Sequence, residues 1–281
     1  MSLNKPMLTC FPQNEDQSKE LEEIQIASQS AGIDIQYTDK IPLPLPFNKA
    51  TRTGGQAKFH PVQYVYGLAN AFEKQGGTIL ENCRATGIEE NEIAEVKTTK
   101  GVFKGKKVIY ATHTPMGVNL IHLRCQPFRS YAMAVTLKDN NYPPGLAYDM
   151  YDPYHYYRTQ VIDGRSFFIA GGYDHKTGKE EDTENCFREL EAHIRKHFNI
   201  SGIKAKWSSQ YFEPADGLPY VGRLPGHSDL VYTASGFGGN GITYSHVSAL
   251  IFKSIFLNEE SPYIKLFDPN RIKPVAGLKT L

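Results

Sequence analysis

Leu230-Val231-Tyr232-Thr233-Ala234-Ser235-Gly236-Phe237-Gly238-Gly239-Asn240-Gly241-Ile242-Thr243 reads as a buried strand, a glycine-rich loop and the start of a helix. The strand is a short apolar run. The loop carries Gly236, Gly238, Gly239 and Gly241, which let backbone approach a flat ligand with no Cβ in the way. The helix that follows, expected over 241–256, opens with unpaired N–H groups at the positive end of its dipole. Such a mouth suits an anion, or a ring that becomes anionic on reduction. A tight turn with a helix cap is the plainer reading of the same residues.

Just upstream, Asp216-Gly217-Leu218-Pro219-Tyr220-Val221-Gly222 reads as a turn entering a short apolar segment. Working outward, helices are expected over 14–31, 61–74 and 183–198. Their apolar stripes would be Leu21, Ile24, Ala27 and Ala31, then Val65, Leu68, Ala69 and Phe72, then Phe187, Leu190, Ile194 and Phe198. The prolines of Ile41-Pro42-Leu43-Pro44-Leu45-Pro46 exclude helix and central strand and predict an extended arm. Strands are expected over 78–80, 85–89, 94–98, 102–111, 128–137, 145–150, 154–159, 166–170, 204–210 and 230–234, with Gly171-Gly172 in a loop. This irregular alternation predicts an α+β fold rather than a doubly wound sheet.

The two glycine-containing stretches together resemble the C-terminal FAD signature of the D-amino-acid oxidase / glycine oxidase (DAO) superfamily. Phe59-His60-Pro61, with Tyr64, Gly67, Leu68 and Ala69, resembles the helix leading into that family's central hairpin. Val108-Ile109-Tyr110-Ala111-Thr112-His113-Thr114-Pro115 resembles the strand end beside its cofactor. The resemblance runs from about residue 21 to 256 and is nearest to members that append a Rieske domain. It implies an antiparallel-sheet substrate domain over 1–58 and 115–214. A partial FAD/NAD(P)-binding three-layer domain would occupy 59–114 and 215–260, and a linker or tail 261–281. It implies FAD as cofactor, with Gly236, Gly238, Gly239, Asn240, Gly241, Ile242 and Thr243 lining the flavin ring. Thr112 and His113 would lie near the ribityl or phosphate side, and Ala85 would fall where the family places a valine that meets adenine. The implied reaction is hydride transfer from a C–H beside nitrogen in an amine or amino-acid-like substrate. No catalytic base is identified.

The sequence departs from that pattern at three places. No strand–Gly-x-Gly-x-x-Gly–helix unit, which would hold the pyrophosphate, occurs in the first hundred residues, so the chain is expected to be a fragment without its N-terminal FAD-binding segment and to hold FAD weakly or not at all. No Cys-x-His pairs with a Cys-x-x-His, so any Rieske iron–sulfur domain lies outside these residues. Gln210-Tyr211-Phe212-Glu213-Pro214-Ala215 holds no arginine where amino-acid oxidases place one, which turns the expectation towards an amine or a less acidic substrate. A non-catalytic substrate-binding module that does not hold FAD by itself is the alternative.

On the substrate side, Tyr156, Tyr157 and Arg158 are the candidates. A strand there would put Tyr154, Tyr156 and Arg158 on one face and His155 and Tyr157 on the other. Cross-strand tyrosine pairing is the competing reading. His193 and His197, one helical turn apart, have metal-ligand spacing but no third ligand in the sequence, so no metal is expected and a solvent-edge pair is.

Composition sets the outer bounds. Of 281 residues, 31 are basic and 30 acidic, with no long basic run, so nucleic acid is not an expected partner. Four cysteines, none in Cys-x-x-Cys spacing, argue against a zinc ribbon, a redox dithiol or a disulfide framework, and for a reducing cytoplasm. No apolar run is long enough to span a membrane, and no leader pattern opens the chain.

Overall fold

A computed structural model of the chain describes residues 8–271. In chain order its elements are β1 (Leu8–Phe11), α1 (Glu15–Ser30), β2 (Ile35–Thr38), β3 (Ala50–Thr53), α2 (Pro61–Lys74), β4 (Ala85–Glu90), β5 (Ala94–Thr98), β6 (Gly101–Gly105) and β7 (Val108–Tyr110). Then come α3 (Leu120–Arg124), β8 (Cys125–Leu137), β9 (Leu146–Asp149), β10 (His155–Ile162), β11 (Arg165–Lys176), α4 (Thr183–His197) and β12 (Ile200–Pro214). β13 (Tyr220–Arg223), β14 (Val231–Ser235), α5 (Gly241–Leu257) and α6 (Pro262–Phe267) complete the chain. The fold is α+β, as the irregular alternation predicts. It divides into two compact units: residues 1–78 with 129–209, and residues 79–128 with 210–281.

The first unit is built on an eight-stranded sheet in the order β12-β8-β11-β10-β9-β1-β3-β2. It is mixed: β10 pairs antiparallel with β9 and β11, whereas β1 runs parallel to β9. One face carries the core, in which Phe11, Tyr131, Met133, Val135, Ala147, Tyr157, Phe168 and Ala170 meet Leu190 and Ile194 of α4. The proline-rich arm is neither helix nor strand and bends over residues 42–44, and its intervening Leu43 and Leu45 are buried in that core. Strands β1, β2 and β3 have only four residues each, too short for periodicity to separate them from loop. The expected strand at 78–80 is absent from the element order.

Helix contacts depart from the sequence reading in two places. α1 buries Leu21 and Gln25 while Ile24 is 43% exposed, because the buried stripe follows the i, i+4 row through Leu21 rather than every apolar residue. α2 forms where its N1 proline and His60 N-cap direct it, yet buries nothing. Val62, Val65, Tyr66, Leu68 and Phe72 are all half exposed or more, so its apolar stripe faces outward among the described residues. α2 also groups with the first unit, although the resemblance assigned residues from 59 onward to the cofactor domain.

The second unit contains two three-stranded sheets, β13-β14-β7 and β4-β5-β6. β14 runs parallel to β7, with Val231 opposite Val108 and Thr233 opposite Tyr110. All five residues of β14 are buried, as its apolar run requires. α5 and α6 cover this sheet through Ile251, Phe252 and Phe267, packed on Val221, Tyr232 and Ala234.

Residues 261–271 are not a free tail. α6 is capped by Ser261 and buries Phe267. Arg271 then grips Asp216 through two hydrogen bonds of 2.7 Å and stacks 4.0 Å over the Tyr220 ring. Its further bonds reach the carbonyls of Pro219 and Leu218. An arginine 55 residues from its partner leaves no local signal, so composition alone read this stretch as linker. Residues 272–281, the remainder of the expected tail, lie outside the described residues.

Candidate functional site

The glycine loop of the second unit sits at the C-terminal ends of β7 and β14. Parallel pairing of these strands brings Ala111–Thr114 alongside Ser235–Phe237. Ser235 Oγ donates to the His113 carbonyl at 2.6 Å, tying the two loops together. His113 adopts φ +72°, unusual for a residue with a side chain, and sets its ring edge-on to Phe212 with centroids 5.0 Å apart. The structure thus brings Thr112 and His113 next to residues 236–243. Ala85 belongs to the separate β4-β5-β6 sheet, opposite Thr98.

Gly236 and Gly238 hold φ of +72° and +54°. A Cβ on Gly236 would lie 3.0 Å from Cys125 Sγ, and one on Gly238 would lie 2.9 Å from the Glu213 carboxylate. These two glycines are fixed by close approach of their own fold. Gly239 and Gly241 differ: nothing lies within 4 Å of a Cβ built on either. The Gly238 amide is committed to Phe212 O, and those of Asn240 and Tyr244 to Phe237 O and Asn240 O. The amides of Gly239, Gly241, Ile242 and Thr243 have no hydrogen-bond partner among the described residues, and Asn240 offers no side-chain cap. The mouth of α5 is therefore an open cradle of unpaired N–H groups at a helix dipole end, the arrangement that receives electron-rich edges.

The residues fit the ring end of a flavin. The open amides match a pyrimidine edge, and the missing Cβ atoms at Gly239 and Gly241 leave room for a planar system. Glu213, held against Gly238, puts a carboxylate beside the same mouth. Two residues here carry no sequence signal. Glu213 reads only as a missing arginine, and Cys125 lies far from the loop in sequence. Burial pushes the Cys125 thiol up to about 12, so it packs as an apolar group rather than as a nucleophile.

This chain matches the FAD dependent oxidoreductase (DAO) family over residues 4–254. It belongs to that family. As a DAO-family chain it is 28% identical over 272 residues to the putative Rieske 2Fe-2S iron-sulfur protein YhfW of Bacillus subtilis, an alignment spanning 96% of this chain and 53% of that protein. It is 25% identical over 211 residues to the gamma-glutamylputrescine oxidoreductase of Escherichia coli, spanning 70% of this chain and 47% of that one. This DAO-family chain thus spans about half the length of both curated relatives. Among solved structures it shares its fold with glycine oxidase from Geobacillus kaustophilus, at TM-score 0.78 and 16% identity over 96% of this chain and 76% of that one. L-proline dehydrogenase from P. horikoshii gives TM-score 0.79 and 20% identity, covering 96% and 77%. No helix among the described residues is long and apolar enough to cross a membrane.

The first unit separates the three substrate-side candidates. Tyr156 and Arg158 stand on the sheet face opposite the core. Tyr157, named with them, is 2% exposed and belongs to the core, because strand alternation sends it to the other face. There its hydroxyl bonds to Asp149 Oδ2 at 2.8 Å and to His193 Nε2 at 2.7 Å. His155 Nδ1 meets the same Asp149 oxygen at 2.8 Å. With Asp149 accepting from both His155 and Tyr157, His193 donates through Nε2–H to the tyrosine oxygen. His193 is thus half-buried in a relay rather than at a solvent edge. Asp149, His155 and His193 place ligand-type atoms within 4.8 Å of one another, a clustering the sequence conceals. The two imidazoles, however, stack at 3.8 Å with planes 10° apart. An ion cannot lie in both ring planes at once, so the group is organised as a hydrogen-bonded stack.

That stack carries a pH prediction. Burial, and the neighbouring His155 and His197, hold His193 down at about 3. An unfolded histidine titrates near 6.5, so the unfolded chain takes up this proton first. The contribution is complete above pH 6.5 and is lost as pH falls towards 3. Urea unfolding across this range should show stability falling with acid, and His193→Gln should flatten the fall. An unchanged slope would contradict it.

Gly171 sits opposite Tyr156 within β11, so the expected Gly-Gly loop is strand. A Cβ at Gly171 would come 2.2 Å from the Tyr156 ring. Gly171→Ala should evict that ring and destabilise the chain by about 1–3 kcal/mol, the range for overpacking. A thermal melt checks this, and a value indistinguishable from wild type would show that Tyr156 is free to move.

Proposed function

We propose that this chain works within an FAD-dependent oxidoreductase acting on CH–NH donors, an amine or amino-acid-like small molecule. The mouth of α5 would receive the flavin ring. The observation that carries it is the open set of amides at Gly239, Gly241, Ile242 and Thr243, held beside Thr112 and His113 by the Ser235–His113 hydrogen bond. When bound, the flavin supplies the acceptor for a hydride. The residues of this chain would orient its ring and stabilise charge gained on its pyrimidine edge. In this reading the second unit holds the cofactor's ring end, with Thr112 and His113 towards the ribityl side and Ala85 towards adenine. The first unit presents Tyr156 and Arg158 to substrate. Membership of the family supports the cofactor. The names of the relatives, a gamma-glutamylputrescine oxidoreductase and a glycine oxidase among them, support a nitrogen-bearing substrate. The Rieske name of the Bacillus subtilis relative supports an iron–sulfur domain as electron-accepting partner.

The first hundred residues contain no Gly-x-Gly-x-x-Gly turn, and the one at Gly236–Gly241 is the loop assigned here to the ring, so the hold this chain has on FAD would come from the ring end. Titration of the chain into FAD and into riboflavin, followed by flavin fluorescence, tests this. Both should be quenched weakly and with affinities within roughly tenfold, since a tenfold ratio is only about 1.4 kcal/mol of phosphate contact. Tight binding of FAD with none of riboflavin would contradict a ring-end site, and quenching of neither would overturn the cofactor reading for this chain.

A further inference from the structure

The first unit also holds a cavity that neither the flavin loop nor the Tyr156 face uses. Its volume is about 690 Å³, within the range of small-molecule sites. It opens beside the edge strand β2, between the turn that leaves this strand and residues 47–49, which lead into β3. The walls are held in place. Thr38 Oγ1 accepts from the Lys40 amide at 3.2 Å, and Asn48 Nδ2 donates to Gln13 O at 3.0 Å. The Tyr151 hydroxyl donates to Pro46 O at the end of the proline-rich arm. Two rings line the cavity: Tyr37, which is 44% exposed, and Phe47, which packs partly on the core. Lys40, Lys49 and Arg52 line it with positive charge, against the one carboxylate of Asp39. Lys49 is already engaged, with its ammonium 3.5 Å from Glu22 Oε2 and 4.3 Å from the centre of the Tyr37 ring. Among the described residues, Lys40, Arg52 and Asp39 form no ion pair.

These groups select a ligand. A bare inorganic anion would meet Asp39 as well as the cations and would leave both rings uncovered. A flat apolar molecule would gain nothing from Lys40 and Arg52. A molecule with a planar ring, hydroxyls and a terminal phosphate uses every group. Its ring can lie against Tyr37 and Phe47. Its hydroxyls can donate to Asp39, as a ribose does to an acidic residue. Its phosphate can take two parallel bonds from the Arg52 guanidinium, with Lys40 as a second charge. We infer that this cavity binds a nucleoside 5′-phosphate, with Arg52 and Lys40 on the phosphate, Asp39 on the ribose and Tyr37 against the base. The site uses none of the residues assigned to the flavin, so it is a second ligand site of the chain and stands apart from the oxidoreductase reading.

The ¹⁵N-labelled 281-residue chain is titrated with AMP, with adenosine and with inorganic phosphate, at neutral pH and constant ionic strength, while backbone amide shifts are followed. AMP should move residues 37–40 and 47–52 and should raise the melting temperature with its concentration, as a ligand of the folded state does. Adenosine and phosphate should each bind roughly tenfold or more weakly, since each lacks one half of the contacts. Arg52→Met and Tyr37→Leu, both at exposed positions, should each weaken AMP roughly tenfold or more, the value of one charge-assisted bond or one stacked base. Arg52→Lys should keep most of the binding. No AMP response at these residues overturns the site. A response confined to residues 239–243 overturns it too, because the nucleotide would then sit at the flavin loop. Phosphate binding equal to AMP overturns the nucleoside assignment, and adenosine binding equal to AMP overturns the phosphate contacts. If AMP moves residues 37–52 while neither flavin is quenched, the cofactor reading fails and this site stands.

Discussion

Arg271→Met is expected to destabilise the second unit by about 3–5 kcal/mol, the cost of stripping one partner from a buried ion pair. Arg271 and Asp216 side chains are 9% and 5% exposed, so neither charge is well solvated. Asp216 would lose two charge-assisted bonds of 2.7 Å and keep its charge in a dry setting. The Pro219 carbonyl would lose its donor, and the Tyr220 ring would lose the cation stacked on it. The damage should be local to the turn over 216–220, the strand β13 that follows it, and α6. Asp216→Asn, which keeps one acceptor oxygen and the shape, should cost less. The double variant Asp216→Asn with Arg271→Met should recover part of the loss, since no unpaired charge remains. Chemical denaturation of the three variants checks this order. A single Arg271→Met within 1 kcal/mol of wild type would show the tail does not anchor the turn.

The second large effect is expected at Gly236. An L-residue at φ +72° is disfavoured by about 1–2 kcal/mol, and a methyl there meets Cys125 Sγ at 3.0 Å, Pro214 Cβ at 3.3 Å and Tyr220 Cδ2 at 3.4 Å. Overpacking in a core adds about 1–3 kcal/mol. Gly236→Ala should therefore destabilise by about 2–5 kcal/mol and shift the loop away from His113. Gly241→Ala should be within about 1 kcal/mol of wild type, because the site is open and alanine favours helix. The contrast separates a glycine required by the fold from one free for a ligand. Equal effects at both positions, read from melting curves, would erase the distinction on which the site rests.

How far the sequence carried the reading differs from part to part. Long periodic elements such as α4, and apolar runs such as β14, announced themselves because burial on one face dictates their pattern. The four-residue strands β1, β2 and β3 did not, since pairing with distant partners rather than local propensity makes them strands. α2 shows the reverse: its stripe was legible, but a stripe says what a helix could bury and not whether it does. In the site, the glycine loop and the Thr112–His113 strand end were legible from motif. The contacts of Glu213, Cys125 and Arg271 were not, because each meets a residue remote in sequence. Strand alternation already set Tyr157 on the face away from Tyr156 and Arg158, and its 2% exposure puts it in the core, although the sequence reading groups it with them as a substrate candidate.

The central claim is that a flavin ring edge settles on the amides at the mouth of α5. Adding riboflavin to the ¹⁵N-labelled chain and following backbone amide shifts tests it most directly. Gly239, Gly241, Ile242 and Thr243 should move together with Thr112 and His113, and Gly241→Glu should remove the response without unfolding the chain. Riboflavin-dependent shifts confined to other residues, with these amides still, would contradict the account.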